Sequence, residues 1–548
     1  MKRNFYIFIT VFLTTINFFA QSQDFVKSDG VTLSIHQANL GKIAFMKENI
    51  PIENFKQSDF LKSFELKENT DLNIRVFLEK SLTNELHLLA PKLSAKELTA
   101  NGNYQFSFFV DGKKIYAENL NVGAGSAENK NQKLIFRVPL ISSTNEDSWG
   151  RFLWNRFLAN GGEDSFSTGE HLLKIEIRPY LKLPEVLVGN IIADGEIKII
   201  IPEIKVDEQL VKFQTIHPLK DWKISKEKID IAQIEELNRK ILTKKYKDVT
   251  SIVVIKNNQL LVEEYFNGAT RNTLHDTRSV GKSFASTILG FAIKDGYIKN
   301  ENQTLKDFYN LKKFKNYAPE KENITLKDLL TMSSTFEGSD IDSDSPGNEE
   351  NMYPTENWVN FTLDLSIDKT KVAEKRWDYF TAGVVLLGDI INKKVPDGLE
   401  KYADKKLFQP LGITNYKWQL TPQKVANTAG SLQMRALDLA KFGQLYKNAG
   451  VWKGKQILPK DWVAKSLSHQ IIISENEFYG YLFWNKTYKI NGKNYEVYYS
   501  SGNGGNRIFI FKDERIVIVI TATAYNTPNG EKQVEKMMEN YLIPAVAQ

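Results

Sequence analysis

Ser279-Val280-Gly281-Lys282 stands at the mouth of Phe284-Ala285-Ser286-Thr287-Ile288-Leu289-Gly290-Phe291-Ala292-Ile293, a run that is apolar nearly all round. Such a run predicts a helix buried in a core rather than one lying on a surface. Lys294-Asp295-Gly296 supplies its stop, with glycine suited to a left-handed cap. Ser279 and Lys282 then share one face of the first turn, a hydroxyl beside an amine. A serine hydroxyl is a weak nucleophile until a base stands within hydrogen-bond reach, and a desolvated lysine can be that base. The spacing alone is weak, because Ser225/Lys228 and Ser366/Lys369 repeat it in polar, charge-rich sequence with no apolar run behind. Context singles out Ser279.

The chain has 548 residues, enough for two or three domains. Hydrophobic residues make up 42% and charged residues 25%, the balance of an ordinary globular protein. Cysteine is absent, which excludes disulfides, thiolate metal sites and a cysteine nucleophile. The net charge of +6 is too small and too evenly spread to indicate nucleic acid. Lys2 and Arg3 precede the apolar stretch Phe5 to Leu13, which continues to Phe19-Ala20. Thr14, Thr15 and Asn17 interrupt it, and it falls short of the roughly 20 residues of a span. Residues 1–20 therefore read as a signal peptide, implying export to the periplasm or beyond and no permanent membrane span.

Residues 24–205 read as β-rich. Tyr104 to Val110 and Lys114 to Ala117 flank Asp111-Gly112, a strong hairpin signal. Further strands are expected at 134–138, 172–177 and 197–201, with Gly169-Glu170-His171 as turn chemistry. Strands separated by Gly/Asn/Ser loops suggest an all-β sandwich, a docking or stabilising module. Residues 206–240 read as a linker and entry helix. From 241 to 548 the pattern changes. A hairpin is expected around Lys256-Asn257-Asn258, helices from 279 to about 470, and strands again at 496–499, 507–511 and 516–520. Strands at both ends with helices between them predict an α/β (α+β) domain: one antiparallel sheet, closed by both ends of the domain and flanked by helices. The fold class is thus multidomain.

Six ordered segments carry a resemblance. They are Leu274 to Phe284, Ile324 to Ser334, Gly383 to Ile391, Leu407 to Gly412, Asp438 to Tyr446, and Gly454 to Pro459. Over residues ~240–530 the chain resembles the serine β-lactamase and penicillin-binding-protein superfamily. More narrowly it looks like the esterase, D-aminopeptidase and 6-aminohexanoate-oligomer-hydrolase branch. The resemblance implies that Ser279 is the nucleophile and Lys282 its base. The family's second motif, Tyr-x-Asn or Tyr-x-Ser, falls on Tyr379-Phe380-Thr381, so Tyr379 would share the proton and pass it to the leaving group. Thr381 replaces the amide and loses its reach, which puts a substrate-holding role in doubt. Ala373 to Trp377 also lacks the family's usual Pro-Gly. The third motif, Lys/His-Thr/Ser-Gly, corresponds to Ser500-Ser501-Gly502, followed by Gly504-Gly505, with the cation missing. Where that cation would bind a substrate carboxylate, its loss forfeits a charge-assisted contact of roughly 1.5–3 kcal/mol. Esters or amides without that carboxylate fit better. Ser279 N–H and an N–H just after Gly502, near Asn503, would hold the oxyanion.

Other readings are weaker. Gly281-Lys282-Ser283 suggests a phosphate loop, but the required first glycine falls on Asp276. No Gly-x-Ser-x-Gly elbow occurs, and His217, His275 and His469 read as packed or surface residues. Asp340-Ile341-Asp342-Ser343-Asp344 departs from a calcium loop at Ser345 and Asn351, so no metal is expected and an acidic rim is the better reading. Trp358, Tyr481 and Trp484 could line a pocket. The expected partner is a small or peptide-like ester or amide, with no cofactor. Two alternatives stand beside this reading: a D-Ala-D-Ala peptidase or β-lactamase acting on peptidoglycan-type substrates, and an inactive binding or scaffold protein on the same fold.

Overall fold

A computed structural model describes residues 24–67, 70–143, 149–342, 344–525, 527 and 529–547. The expected signal segment lies outside them. The chain divides into two compact units, 1–203 and 204–548.

In the first unit, Asp111 (φ 50°) and Gly112 (φ 80°) both adopt left-handed backbone, the geometry of a tight hairpin turn. They join Gly102–Val110 to Lys113–Asn119, as the sequence suggests. From that edge the sheet runs through Gly169–Lys182, Ala193–Ile201, Lys42–Met46 and Leu72–Phe77 to Ile135–Ile141. Ala193–Ile201 pairs on one edge with Gly169–Lys182 and on the other, in parallel, with Lys42 and with Ser63–Glu65. That shared strand zips both halves together. In place of an all-β sandwich of two sheets, the described residues form one mixed sheet of nine strands. Helices Leu82–Leu89, Ala95–Asn101, Ala127–Gln132 and Trp149–Phe157 accompany it. Ser81, Ser94 and Ser126 cap the first three, each hydroxyl accepting a backbone N–H three residues on. Residues 169–171, expected as a turn, already belong to the long strand Gly169–Lys182.

In the second unit the central strands Val249–Lys256, Asn506–Phe511 and Ile516–Ala522 are buried on both faces, and alternation sorts their side chains into two cores. Val253, Ile255, Ile508, Ile510, Val517 and Val519 face one cluster. Ile252, Val254, Phe509, Phe511, Ile518 and Ile520 face the other. The eight strands run in the order Gln259–Tyr265, Val249–Lys256, Ile516–Ala522, Asn506–Phe511, Lys493–Gly502, Trp484–Ile490, Glu477–Tyr479, Ile471–Ser474. All neighbours are antiparallel. The first and last parts of the unit meet where Val249–Lys256 pairs with Ile516–Ala522, closing the sheet as expected. The first face packs against helices Gly281–Lys294 and Ala436–Lys447, with Thr381–Lys394 stacked on the former; the second packs against Ile231–Leu242 and the C-terminal helices.

Residues 206–240, expected as a linker and entry helix, run into helix Ile231–Leu242. Trp222 is buried in the first core, and Ser225 N–H donates to the Leu260 carbonyl at 2.8 Å. A small sheet of His275–Asp276, Leu432–Met434 and Tyr416–Trp418 draws residues 429–431 alongside the entry to helix Gly281–Lys294. Among the described residues no helix is long and apolar enough to cross a membrane.

Candidate active site

Ser279 sits in the 3-10 turn Arg278–Val280, which feeds directly into the buried helix Gly281–Lys294. Arg278 holds φ +50°, a costly conformation for a non-glycine residue. Its guanidinium lies over the Tyr525 ring at 4.4 Å, and its carbonyl accepts from Ser431 N–H at 3.2 Å. These contacts hold the strained turn. A Cβ at Gly281 would stand 3.3 Å from Gly430 Cα, and one at Gly430 3.3 Å from the Arg278 carbonyl. Two glycines thus let the 429–431 segment lie against the serine turn.

Lys282 is 2% exposed. Its Nζ donates to Ser279 Oγ at 2.7 Å and to the Ala429 carbonyl at 2.6 Å. Removing an amine from water costs several kcal/mol unless hydrogen bonds replace the lost hydration. One of the two bonds made here goes to the half-buried serine. Nζ also lies 5.1 Å from the centroid of the Tyr379 ring. Tyr379 stacks at 5.7 Å on Trp484, which meets Trp377, Tyr479 and Tyr499 to form an aromatic wall. The Tyr379 hydroxyl has no hydrogen-bond partner among the described residues. Ser279, Lys282, Tyr379 and Trp484 are therefore brought together.

The third-motif residues divide by strand alternation. Ser500, 1% exposed, turns inward and donates to Ser283 Oγ at 2.7 Å; Ser283 donates to the Leu482 carbonyl at 2.7 Å. Where the family pattern has a cation, this protein has a neutral hydroxyl chain satisfied inside the fold. Ser501 is half-buried and pairs with Arg507. Gly502 presses against the serine turn: a Cβ there would stand 2.1 Å from the Thr277 carbonyl oxygen and 3.2 Å from Val280 N. Only glycine fits. The Asn503 carbonyl accepts from Asn506 Nδ2 at 2.9 Å, closing the hairpin end. Thr381 is buried at the start of helix Thr381–Lys394, and its N–H is spent on Asp340.

Two contributors escape motif reading. One is the Ala429 carbonyl, whose sequence signal is the small-residue run Thr428-Ala429-Gly430-Ser431. The other is Asp340, from the acidic stretch. Its carboxylate accepts from Thr381 N–H at 2.6 Å and Glu349 N–H at 2.9 Å, and its N–H donates to the Tyr379 carbonyl at 2.8 Å. It caps the second motif in place. Burial and the neighbouring Glu349 charge hold Asp340 above the usual carboxylate range, opposed by the Thr381 contacts and the Lys282 charge. Trp358 and Tyr481, expected as candidate pocket residues, are core residues. His275 is buried beside Thr250 at 3.2 Å, and burial pushes its pKa down to about 4, so it stays neutral.

The family model for β-lactamases matches residues 242–539. The chain belongs to the β-lactamase family. No curated protein matches this β-lactamase-family chain in sequence. Among solved structures it is similar to a "Putative 6-aminohexanoate-dimer hydrolase from Bacillus anthracis", at 19% identity and TM-score 0.48, covering 60% of this chain and 88% of that one. It is similar to an octameric penicillin-binding protein homologue from Pyrococcus abyssi, at 19% identity and TM-score 0.44, covering 57% and 80%. A D-amino acid amidase from Ochrobactrum anthropi SV3 is similar at 14% identity and TM-score 0.42, covering 55% and 95%.

The first unit of this family member also holds Ser167, His171 and Asp111 in line. His171 Nδ1 lies 2.7 Å from Asp111 Oδ2, and Nε2 lies 3.2 Å from Ser167 Oγ. Nε2 is closer still, at 2.9 Å, to the Ser167 carbonyl, while Asp111 Oδ1 accepts from Leu172 N–H at 2.8 Å. The ring clamps the hairpin turn to the neighbouring strand; it does not activate the serine.

Proposed function

We propose that the protein is an exported serine hydrolase that cleaves an ester or amide through an acyl-enzyme on Ser279. The observation that carries this reading is the 2.7 Å contact between Ser279 Oγ and the Nζ of a lysine withdrawn from water. Ser279 Oγ attacks the substrate carbonyl carbon, and its proton passes to the Lys282 amine. The carbonyl π pair moves onto oxygen, held by Ser279 N–H and the N–H following Gly502. Collapse of this intermediate expels the leaving group, which takes the proton from Lys282 directly or through the Tyr379 hydroxyl. Water then attacks the acyl-enzyme by the same route in reverse. Domain limits near 24–205 and 241–548 and the basic, apolar start at Lys2 belong to the same reading.

The neutral Ser500–Ser283 chain supports a substrate without the carboxylate that β-lactams and D-Ala-D-Ala peptides present. An ester-hydrolysis assay beside a fluorophosphonate label tests the proposal. The wild type is expected to turn over p-nitrophenyl esters and to label once, and Ser279→Ala to do neither. Equal inertness of both would end the catalytic reading in favour of a binding protein. Nitrocefin turnover comparable to ester turnover would overturn the argument from the missing cation.

A further inference from the structure

Arg507 belongs to strand Asn506–Phe511, hydrogen-bonded to the strand that ends in Gly502. It is 3% exposed, and its Nη1 donates to the Gly502 carbonyl at 3.1 Å and to the Asn506 carbonyl at 2.9 Å. Its Nη2 lies 3.2 Å from Glu531, whose side chain is 68% exposed. An acid so open to water offsets little of the cost of burying a guanidinium. Charge pairing alone therefore does not account for an arginine here.

Its contact with Gly502 does. The Gly502 carbonyl and the Asn503 N–H belong to one trans peptide plane and point in opposite directions. Fixing the carbonyl fixes the direction of that N–H, and a cation on the carbonyl polarises the whole peptide, making the N–H a stronger donor. The same peptide adjoins the Ser279 turn through the close approach of Gly502 to Thr277 and Val280.

We propose that Arg507 is a positioning residue whose Nη1, bonded to both the Gly502 and the Asn506 carbonyls, aims the Asn503 N–H at the oxyanion. The inference rests on the acyl-enzyme reading above. Arg507 exchanges no atoms with substrate: it acts only as negative charge gathers on the carbonyl oxygen.

Full-length wild type, Arg507→Met and Arg507→Lys, each titrated with a fluorophosphonate so that rates are per active site, provide the test. Steady-state hydrolysis of p-nitrophenyl butyrate gives kcat and KM. Inhibition by phenylboronic acid, which forms a tetrahedral oxyanion on the serine, reports transition-state binding. Removing an oxyanion donor outright costs about 100- to 1,000-fold in kcat. Losing only its aim is expected to cost about 10- to 100-fold in Arg507→Met, with KM within about twofold and boronate affinity falling in parallel. Arg507→Lys, which keeps a cation but not the planar guanidinium that places Nη1 against both carbonyls, is expected to fall between wild type and Arg507→Met. Wild-type kcat and boronate affinity in a folded Met variant, or in the Lys variant if Met does not fold, would overturn the proposal. An inert, unlabelled wild type would instead defeat the hydrolase reading itself.

Discussion

Both units bury a lysine amine, and the partners differ. In the first unit Lys130 is 5% exposed, and its Nζ donates to the carbonyls of Thr99, Gly102 and Val122 at 2.8, 3.0 and 2.5 Å. All three donors of the ammonium are spent on groups that neither take nor release a proton. In the second unit Lys282 gives one bond to a carbonyl and one to a serine hydroxyl, with an aromatic ring beside it. Burial lowers the pKa of Lys130, yet nothing near it can react. Burial alone therefore does not mark a chemical lysine. The partner's chemistry does.

Four experiments can break or sharpen that contrast. The largest effect is expected at Lys282: Lys282→Ala should lower ester turnover about 1,000-fold with the circular dichroism spectrum retained, since a positioned base contributes roughly 10²–10⁴-fold. Lys130→Met should do the opposite. It leaves three carbonyls without their donor, expected to cost about 3 kcal/mol in urea unfolding of the first unit, with turnover per labelled site unchanged. Lost turnover with intact stability in that variant would erase the distinction between the two lysines.

Glu264 offers a third buried titratable group. Burial pushes its pKa up to about 7, although Gln214 N–H and Asn238 Nδ2 donate to it at 2.9 and 3.0 Å. The unfolded chain releases this proton near pH 4.5 while the folded chain keeps it until about pH 7. Stability is therefore fully present below pH 4.5 and declines as pH rises to about 7, by up to about 3 kcal/mol. Urea midpoints from pH 4.5 to 8 should show the decline in wild type and a flatter profile in Glu264→Gln. The smallest effect is expected for Tyr379→Phe, about tenfold in kcat, because its hydroxyl meets no partner among the described residues and would serve only proton delivery. No change would remove Tyr379 from the relay.

Much of the second unit was legible because its signals are local. The apolar run behind Ser279 gave the buried helix, and Asp295-Gly296 gave its end: Gly296 has φ +78° and its N–H bonds back to Ile293 at 3.0 Å. Asn257 and Asn258, at φ 51° and 60°, form the expected hairpin turn. What stayed hidden depends on distant backbone. The Ala429 carbonyl reaches Lys282 across 147 positions, and Asp340 reaches Thr381 across 41. Neither carries a motif, because a carbonyl has no side-chain identity and an acidic loop normally signals solvent. The first unit misled for a related reason. Its strands were visible one by one, but the strand Ala193–Ile201 that joins them into one sheet announces no pairing order. Ser500 matched its motif by position, yet strand alternation sends its hydroxyl to Ser283 instead of to the site.

Intact-mass spectrometry of wild-type protein, mixed with p-nitrophenyl butyrate and acid-quenched within seconds, tests the central claim most directly. The structure predicts one butyryl adduct per chain, located on the peptide bearing Ser279 and absent from Ser279→Ala and Lys282→Ala. Ester turnover without any adduct on Ser279, or the same adduct in Ser279→Ala, would contradict it.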